Sequence, residues 1–418
     1  MDHKSLKYGK YALSLFLLLF VACSLPVTSL AQSDSSSSSK SYQLLPAPDV
    51  WYNSVDGVRV GVRILGQDPN SFGDGPHRLN GGVWLGTKFP ENPISYYLKF
   101  TEPIPAISEF GSEASISLET SYRTGFQQHG VSFNKRWQTG FNELNYKELS
   151  VGFRAEHRFD DDYLLYPQLW QSEWLYLASI NFDLTDQNSL GRYFLNLSAD
   201  ANIAGNFPSF IRTNFSFQQR TKFSDHFTLY SRVYSGFGTE NTALEYLFAH
   251  SFRSPRNWMS QGLTRARGTI PPNWMQIGNI QVTGGANLRG YLSQDISALN
   301  EGFSPLYTSL SSVNFELDYP NPIDKAISDI PVLGGFINLR SYVFFDAGTS
   351  LGITSFEEDR TLSDAGLGFL FSIDIPDYLG KSRGLAIRYD LPLWLSDPSA
   401  EESFAFRNVI GIGAIISL

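Results

Sequence analysis

The segment Ser312-Val313-Asn314-Phe315-Glu316-Leu317-Asp318-Tyr319 has a polar residue at every even position and an apolar one at every odd position. A period of two belongs to an extended strand with two unlike faces, because successive side chains point to opposite sides of a sheet. In residues 149–159, Leu149, Val151, Phe153, Ala155 and Phe159 alternate with Ser150, Gly152, Arg154, Glu156 and Arg158, and His157 interrupts the apolar side. Tyr193, Leu195, Leu197, Ala199, Ala201 and Ile203 oppose Arg192, Asn196, Ser198, Asp200 and Asn202, with Phe194 the exception. Residues 210–220 put Arg212, Asn214, Ser216, Gln218 and Arg220 on one side, and Leu385, Ile387, Tyr389 and Leu391 oppose Ala386, Arg388 and Asp390. A soluble β-sandwich also alternates. Two features favour a membrane. Several runs reach about 10 residues, the length of a tilted spanning strand, where globular strands average about 5 or 6. Aromatic residues also gather near run ends, as at Tyr96, Tyr97, Trp137, Tyr163, Trp170, Trp174 and Tyr176, where interface girdles lie.

Composition narrows the class further. The chain is 42% hydrophobic and 15% aromatic but only 17% charged, against about 25% charged in soluble proteins. No stretch after Ala31 approaches the length of a spanning helix. A formal net charge of −9 argues against a nucleic-acid partner, which needs basic patches. The expectation is an all-β fold: a transmembrane antiparallel β-barrel of about sixteen strands in the bacterial outer membrane, its outer face against lipid. Eleven strands are expected before the glycine-rich motif at 283–291, the first near 57–65 and the eleventh near 243–252. Five are expected after it, near 306–319, 338–347, 362–373, 384–393 and 403–418.

The N-terminal residues 1–31 have the anatomy of a signal peptide. Lys4, Lys7 and Lys10 precede an apolar run at 11–21, and Ser29-Leu30-Ala31 offers small residues for cleavage. The rival reading is a lipoprotein cut before Cys23, where Phe20 takes the position that wants Leu. Cys23 is the one cysteine, so a chain starting at Gln32 has no disulfides and no thiolate chemistry. Residues 32–50, with a Ser-rich run, read as a flexible leader, and 51–418 as a single barrel domain.

Between the eleventh and twelfth expected strands lies a long connection, 254–305, rich in Gly, Pro and Asn; connections of this length are usually functional or disordered. It contains Gly284-Gly285 and Leu288-Arg289-Gly290-Tyr291. This segment resembles the Arg-Gly-aromatic loop of the bacterial surface antigen superfamily, which includes outer-membrane protein insertases and two-partner-secretion transporters. Asn314-Phe315-Glu316 matches the family's Gly-x-Glu element with Asn for Gly, and Phe344-Phe345-Asp346 matches its Phe-x-Asp strand. Ala365-Gly366-Leu367-Gly368 and Leu385-Ala386-Ile387-Arg388-Tyr389-Asp390 are similar to its Gly-x-Gly and Leu-Arg-x-Asp strands. The resemblance spans 51–418 and is best after Thr283. It implies a sixteen-stranded barrel whose sixth extracellular loop folds into the lumen and places this motif on the inner wall.

The physics of such a placement is definite. An arginine in a partly desolvated lumen is costly unless paired, carboxylates at hydrogen-bonding range offset the cost, and glycines let the backbone lie close to the wall. Glu316, Phe344 and Asp346 are the expected partners of Arg289. Alternation puts Glu316 on the polar side, whereas Asp346 shares its face with Tyr342 and Phe344. The bland alternative is a solvated loop arginine with ordinary pore-lining acids. At the C-terminus, Ile410, Ile412, Ala414 and Ile416 share one side. Gly413, Ile416 and Leu418 stand where barrel proteins carry a targeting strand for the barrel assembly machinery, with Leu418 in place of the usual Phe.

Family members that insert or export proteins carry periplasmic polypeptide-transport-associated domains, and 32–50 is too short to be one. The functional expectation is therefore protein translocation or outer-membrane assembly with a separate periplasmic or secreted partner. The alternatives are a passive channel or structural barrel, or a membrane anchor for a separately encoded soluble enzyme. A weak seam between first and last strands separates an insertase from a pore, and Gly411 and Gly413 stand where such a seam would weaken. No catalytic, cofactor-binding or metal residues are expected. The chain has no His-Glu-x-x-His, Gly-x-Ser-x-Gly or paired-cysteine motif, and its histidines lack ligand spacing. Gly73-Asp74-Gly75-Pro76 reads as a turn, and Asp160-Asp161-Asp162 as an acidic turn rather than a calcium site.

Overall fold

The structure is a computed structural model. It describes residues 42–412 apart from 54–56, 69–75, 89–92, 110, 124, 141, 143, 161–163, 165, 259–271, 329, 331–336, 352–359, 377–381 and 399–401. The strands are β1 (Gln43–Asn53), β2 (Gly57–Gln67), β3 (Arg78–Gly86), β4 (Ile94–Pro103), β5 (Ala114–Arg123), β6 (Phe126–Gln138), β7 (Tyr146–Arg158) and β8 (Leu175–Asn188). They continue as β9 (Gly191–Ala204), β10 (Phe210–Lys222), β11 (Thr228–Gly238), β12 (Ile280–Val282), β13 (Ser309–Asp318), β14 (Ile337–Leu351), β15 (Arg360–Pro376), β16 (Ser382–Leu395) and β17 (Val409–Ile412).

All seventeen belong to one sheet. Sixteen form an antiparallel meander in which each strand pairs with the next, and β11 passes directly to β13. The three-residue β12 belongs to the long connection and lies parallel to β17. The other meander strands run from 9 residues in β3 to 17 in β15, long enough to span a bilayer when tilted. No helix among the described residues is long and apolar enough to cross a membrane.

The connection between β11 and β13 shows that this sheet curls into a barrel. Its Arg256 bonds Gln128 of β6 and Glu156 of β7, its Ser254 accepts from Arg212 of β10, and its Arg289 bonds β13, β14 and β16. One segment reaches all these strands only if the sheet wraps around it. Burial is inverted relative to a water-soluble protein. Arg232, Asn314, Glu316 and Asp346 are buried inside, while Val233, Phe237, Phe315, Val343 and Phe345 are exposed outside. A polar interior with an apolar outer belt is the distribution lipid selects.

The barrel departs from the expected boundaries at three places, one being the last strand, expected near 403–418 and described only at Val409–Ile412. The first strand begins at Gln43, so 43–50 of the expected leader is a strand, paired along its whole length with β2. The adjoining Ser-rich run at 33–39 drew the whole of 32–50 into the leader. The eleventh strand is Thr228–Gly238, not 243–252. That later segment holds a 3-10 turn, Leu244–Tyr246, and its Leu247, Ala249 and Phe252 pack into an apolar cluster with Leu169, Leu292, Ile296 and Leu299. The 254–305 connection is also structured. It contains a 3-10 turn at Pro255–Trp258, β12, and the helices Pro272–Gln276 and Leu292–Asn300.

At the rim carrying this connection the aromatic residues stack from strand to strand. Tyr96 meets Tyr122 at 5.8 Å, Tyr122 meets Phe159 at 4.7 Å, and Trp174 meets His157 at 4.8 Å and Tyr176 at 6.1 Å between centroids. His157, which interrupts the alternation, is thus a member of the band. Trp170 is not, being 8% exposed and packed in the loop cluster with Leu247 and Leu292. Tyr163, residues 1–41, the glycines at 73 and 75, Asp161 and Asp162 lie outside the described residues.

Candidate functional site: an arginine clamped on the lumen wall

The motif approaches the wall through three residues in left-handed backbone. Gly284 (φ 137°), Gly285 (φ 62°) and Asn287 (φ 57°) bend the chain before Leu288, a conformation that costs a side-chain-bearing residue more than glycine. Asn314 of β13 receives the bend: its amide donates to the carbonyls of Ala286 (3.1 Å) and Asn287 (3.2 Å), and Ser312 Oγ donates to Ala286 O (2.8 Å). The motif Arg289–Tyr291 then forms a 3-10 turn on the wall. Gly290 is needed there because a Cβ would lie 2.4 Å from Leu395 Cδ2 and 2.9 Å from Asp364 Cβ. Tyr291 closes the turn by donating to Ser363 O at 3.0 Å, and Leu288 and Tyr291 pack with Phe248, Tyr307 and Leu362.

The Arg289 side chain is fully buried and saturated with carboxylates. Nε and Nη2 donate side by side to Asp346 at 2.7 and 3.2 Å, Nη2 also reaches Glu316 Oε1 at 3.0 Å, and Nη1 reaches Asp390 Oδ1 at 3.2 Å. The side-on pair with Asp346 uses the planar fork that distinguishes arginine from lysine. Burial alone would lower the guanidinium pKa; Asp346, Asp390 and Glu316 outweigh it and hold the group charged, well above its ordinary value. Phe344 stacks on the cation at 4.1 Å. The expected partners Glu316, Phe344 and Asp346 are therefore brought together around Arg289. Gly413, Ile416 and Leu418 lie outside the described residues.

Several members of this network carried no separate signal. Asp390 was visible only as part of a Leu-Arg-x-Asp strand, yet it accepts from Arg289 and from Tyr342 OH (2.7 Å) and stands 2.5 Å from Arg388 Nε in an ion pair without hydrogen-bond alignment. Arg340 bonds Glu316 and Asp318, each at 2.6 Å, so Glu316 is shared between two cations. Asn314 also donates to Asp346 at 2.9 Å and so couples the loop backbone to the ion network. Tyr342 and Phe344 share the face of Asp346 because glycines of β15 make room for their rings. A Cβ on Gly368 would lie 2.2 Å from Tyr342, and one on Gly366 would lie 2.9 Å from Phe344. Gly411 likewise leaves room for the guanidinium of Arg388, 2.8 Å from where its Cβ would be.

A second anchor holds the same connection to the opposite wall. Arg256 Nε donates to both oxygens of Glu156 (3.2 and 3.1 Å), and its Nη2 donates to Glu156 (2.8 Å) and Gln128 (2.7 Å). Tyr246 OH donates to the same carboxylate, and Arg154 lies 3.5 Å from it. Glu156 and Arg256 are 2% and 6% exposed, so removing either would strand a buried charge. The alternation of 149–159 placed Glu156 on the polar face, but its partner is 100 residues away. Among the described residues no cluster of His, Cys, Asp and Glu has the geometry to hold a metal ion.

No protein-family model matches this chain, and no curated protein does. Among solved structures it is similar to BamA from Haemophilus ducreyi lacking POTRA domains 1-3, at 12% identity over 88% of this chain and 69% of that one, with a TM-score of 0.48. It is also similar to CdiB from Escherichia coli, at 11% identity over 90% of this chain and 63% of that one, with a TM-score of 0.44. By its own strand pairing and burial, the chain is an antiparallel β-barrel with a long connection clamped in its lumen.

Proposed function

We propose that this protein is an outer-membrane barrel of the bacterial surface antigen superfamily that works in protein translocation or outer-membrane assembly with a separate partner protein. The observation that carries the reading is the Arg289 clamp on Glu316, Asp346 and Asp390. It fixes a long connection inside the lumen, where a passive channel would need free space.

The seam supports the same reading. Pro46 and Pro48 lie within β1 and lack the N–H that a strand ladder uses, so β1 has two donors fewer than a regular strand. On the other side, β17 pairs with β16 and with β12 of the lumen connection, and no pairing with β1 exists among the described residues. A first strand short of two donors favours a seam that parts for a client strand. In this reading residues 1–31 direct export, the barrel assembly machinery inserts the chain, and lipid covers its outer face.

The test uses native cells carrying a photo-crosslinking residue at Ala47 on β1, with membrane fractionation and heat-modifiable gel mobility as controls. Adducts to a client or partner polypeptide are expected. A soluble periplasmic product, or a membrane barrel that crosslinks to lipid alone, refutes the proposal.

A further inference from the structure

Between the two anchors lies a lumen cavity of about 560 Å³. Its lining includes Arg154, Arg212, Arg232, Arg253 and Arg256, and a single carboxylate, Asp200. In a chain of net charge −9 this local excess of cations calls for an explanation.

Three of the five arginines are balanced by protein carboxylates. Arg154 and Arg212 share Asp200 at 2.9 and 3.7 Å, and Arg256 and Arg154 share Glu156 at 2.8 and 3.5 Å. The other two are not. Arg232 is 5% exposed; its Nη1 donates to the neutral Asn314 Oδ1 at 3.0 Å, and its Nε has no hydrogen-bond partner. The carboxylate on the far side of Asn314 is Asp346, which Arg289 already holds. Arg253 lies against Gly284, where a Cβ would come within 2.5 Å of its Nε, and no ion pair engages it among the described residues. Ser216, also on the lining, is buried with an unpartnered hydroxyl. It sits diagonally across from Arg232, since β10 and β11 pair Gln218 with Arg232 and Ser216 with Tyr234.

Two unbalanced guanidiniums and an orphaned hydroxyl facing one cavity form an incomplete coordination set. Buried donors are rarely left unmet, and two guanidiniums without a carboxylate favour an acceptor with negative charge. We propose that this cavity binds a phosphate group, held between Arg232 and Arg253 and bonded by Ser216. Guanidinium forks match phosphate oxygens in charge and geometry. The side-chain-free Gly284 and Gly285 line the same cavity and leave space for the ligand. The phosphate belongs to a free soluble anion or to a lipid headgroup, and the experiment separates these sources.

The experiment is isothermal titration calorimetry on the detergent-solubilised, full-length mature protein. One arm uses sodium phosphate, with sodium chloride at matched ionic strength as the blank; the other uses short-chain phosphatidic acid. Saturable binding in at least one arm is expected, weakened tenfold or more by Arg253→Gln and by Arg232→Gln. Arg253→Lys should retain part of the affinity, and Lys222→Gln, at the exposed end of β10, should retain all of it. Among the described residues Arg253 has no ion-pair partner to lose, so its variant decides the matter if Arg232→Gln fails the heat-modifiability control. Absence of saturable binding in both arms, or unchanged affinity in Arg253→Gln, overturns the proposal.

Discussion

Replacing Arg289 by Ala leaves Asp346, Asp390 and Glu316 facing one another without their common cation. Their side chains are 0%, 0% and 4% exposed, so water does not take the arginine's place without rearrangement. Breaking a buried pair by removing one partner costs about 3–5 kcal/mol. The dry surroundings put Arg289→Ala at the full figure rather than a fraction of it. Because about 1.4 kcal/mol is a tenfold change, loop opening should rise on the order of a hundredfold to a few thousandfold. The barrel keeps its strand ladder and should still assemble. The measurement is limited proteolysis of 254–305 in folded, detergent-solubilised protein under conditions where cleavage follows the open population. Arg289→Glu should be worse, since it adds a fourth carboxylate. A double-mutant cycle with Asp346→Asn isolates the strongest contact and should give a coupling of about 1–3 kcal/mol. Glu316 is the poorer partner for such a cycle, because Arg340 also bonds it at 2.6 Å. If Arg289→Glu leaves the connection as protected as in the parent, the clamp does not hold the loop and the reasoning fails.

Arg256→Ala should release the opposite wall at a comparable cost of about 3–5 kcal/mol, and proteolysis of the double variant with Arg289→Ala should show losses that nearly add, because the two anchors share no partner. Gly290→Ala forces a Cβ against Leu395 and Asp364 and should weaken loop protection by about 1–3 kcal/mol, read by the same assay. Burial pushes His250 down to about 3 and Glu245 up to about 7, the latter aided by Glu156. The closed loop therefore gains from His250 as pH rises from about 3 to about 6.5, and loses from Glu245 as pH rises from about 4.5 to about 7, each by about 1.4 kcal/mol per pH unit. Hydrogen exchange should show a plateau near pH 4.5–6.5 in the parent. Glu245→Gln should convert the plateau into a steady gain with pH, and an unchanged profile would remove Glu245 from the account.

Strand periodicity was legible in the sequence because it is a local property. Alternation over 312–319 already put Glu316 on the inner face, and the glycines of Gly284-Gly285 and Gly290 marked a backbone that bends and approaches something closely. The places where reading failed are places where local signal and tertiary role conflict. Pro46 and Pro48 lie in the segment read as a leader, yet both pair in register with β2. Residues 243–252 read as a strand because they are apolar, but their side chains serve a cluster inside the lumen rather than a lipid face. Tyr342 and Phe344 made the orientation of Asp346 ambiguous until Gly366 and Gly368 on the neighbouring strand supplied space for their rings.

The sequence by itself determined the fold class and the inward side of Glu316, since both follow from the side a residue takes on its own strand, whereas the motif on the long connection and its partner Asp346 were expected from the resemblance. Only the tertiary structure decided that Asp390 joins Glu316 and Asp346 on Arg289, that Arg256 meets Glu156 across 100 residues, and that no carboxylate among the described residues pairs with Arg232 or Arg253. The physical reason is that charge pairing in a barrel depends on which strands curvature and register bring to the same height on the wall, and no local period encodes that.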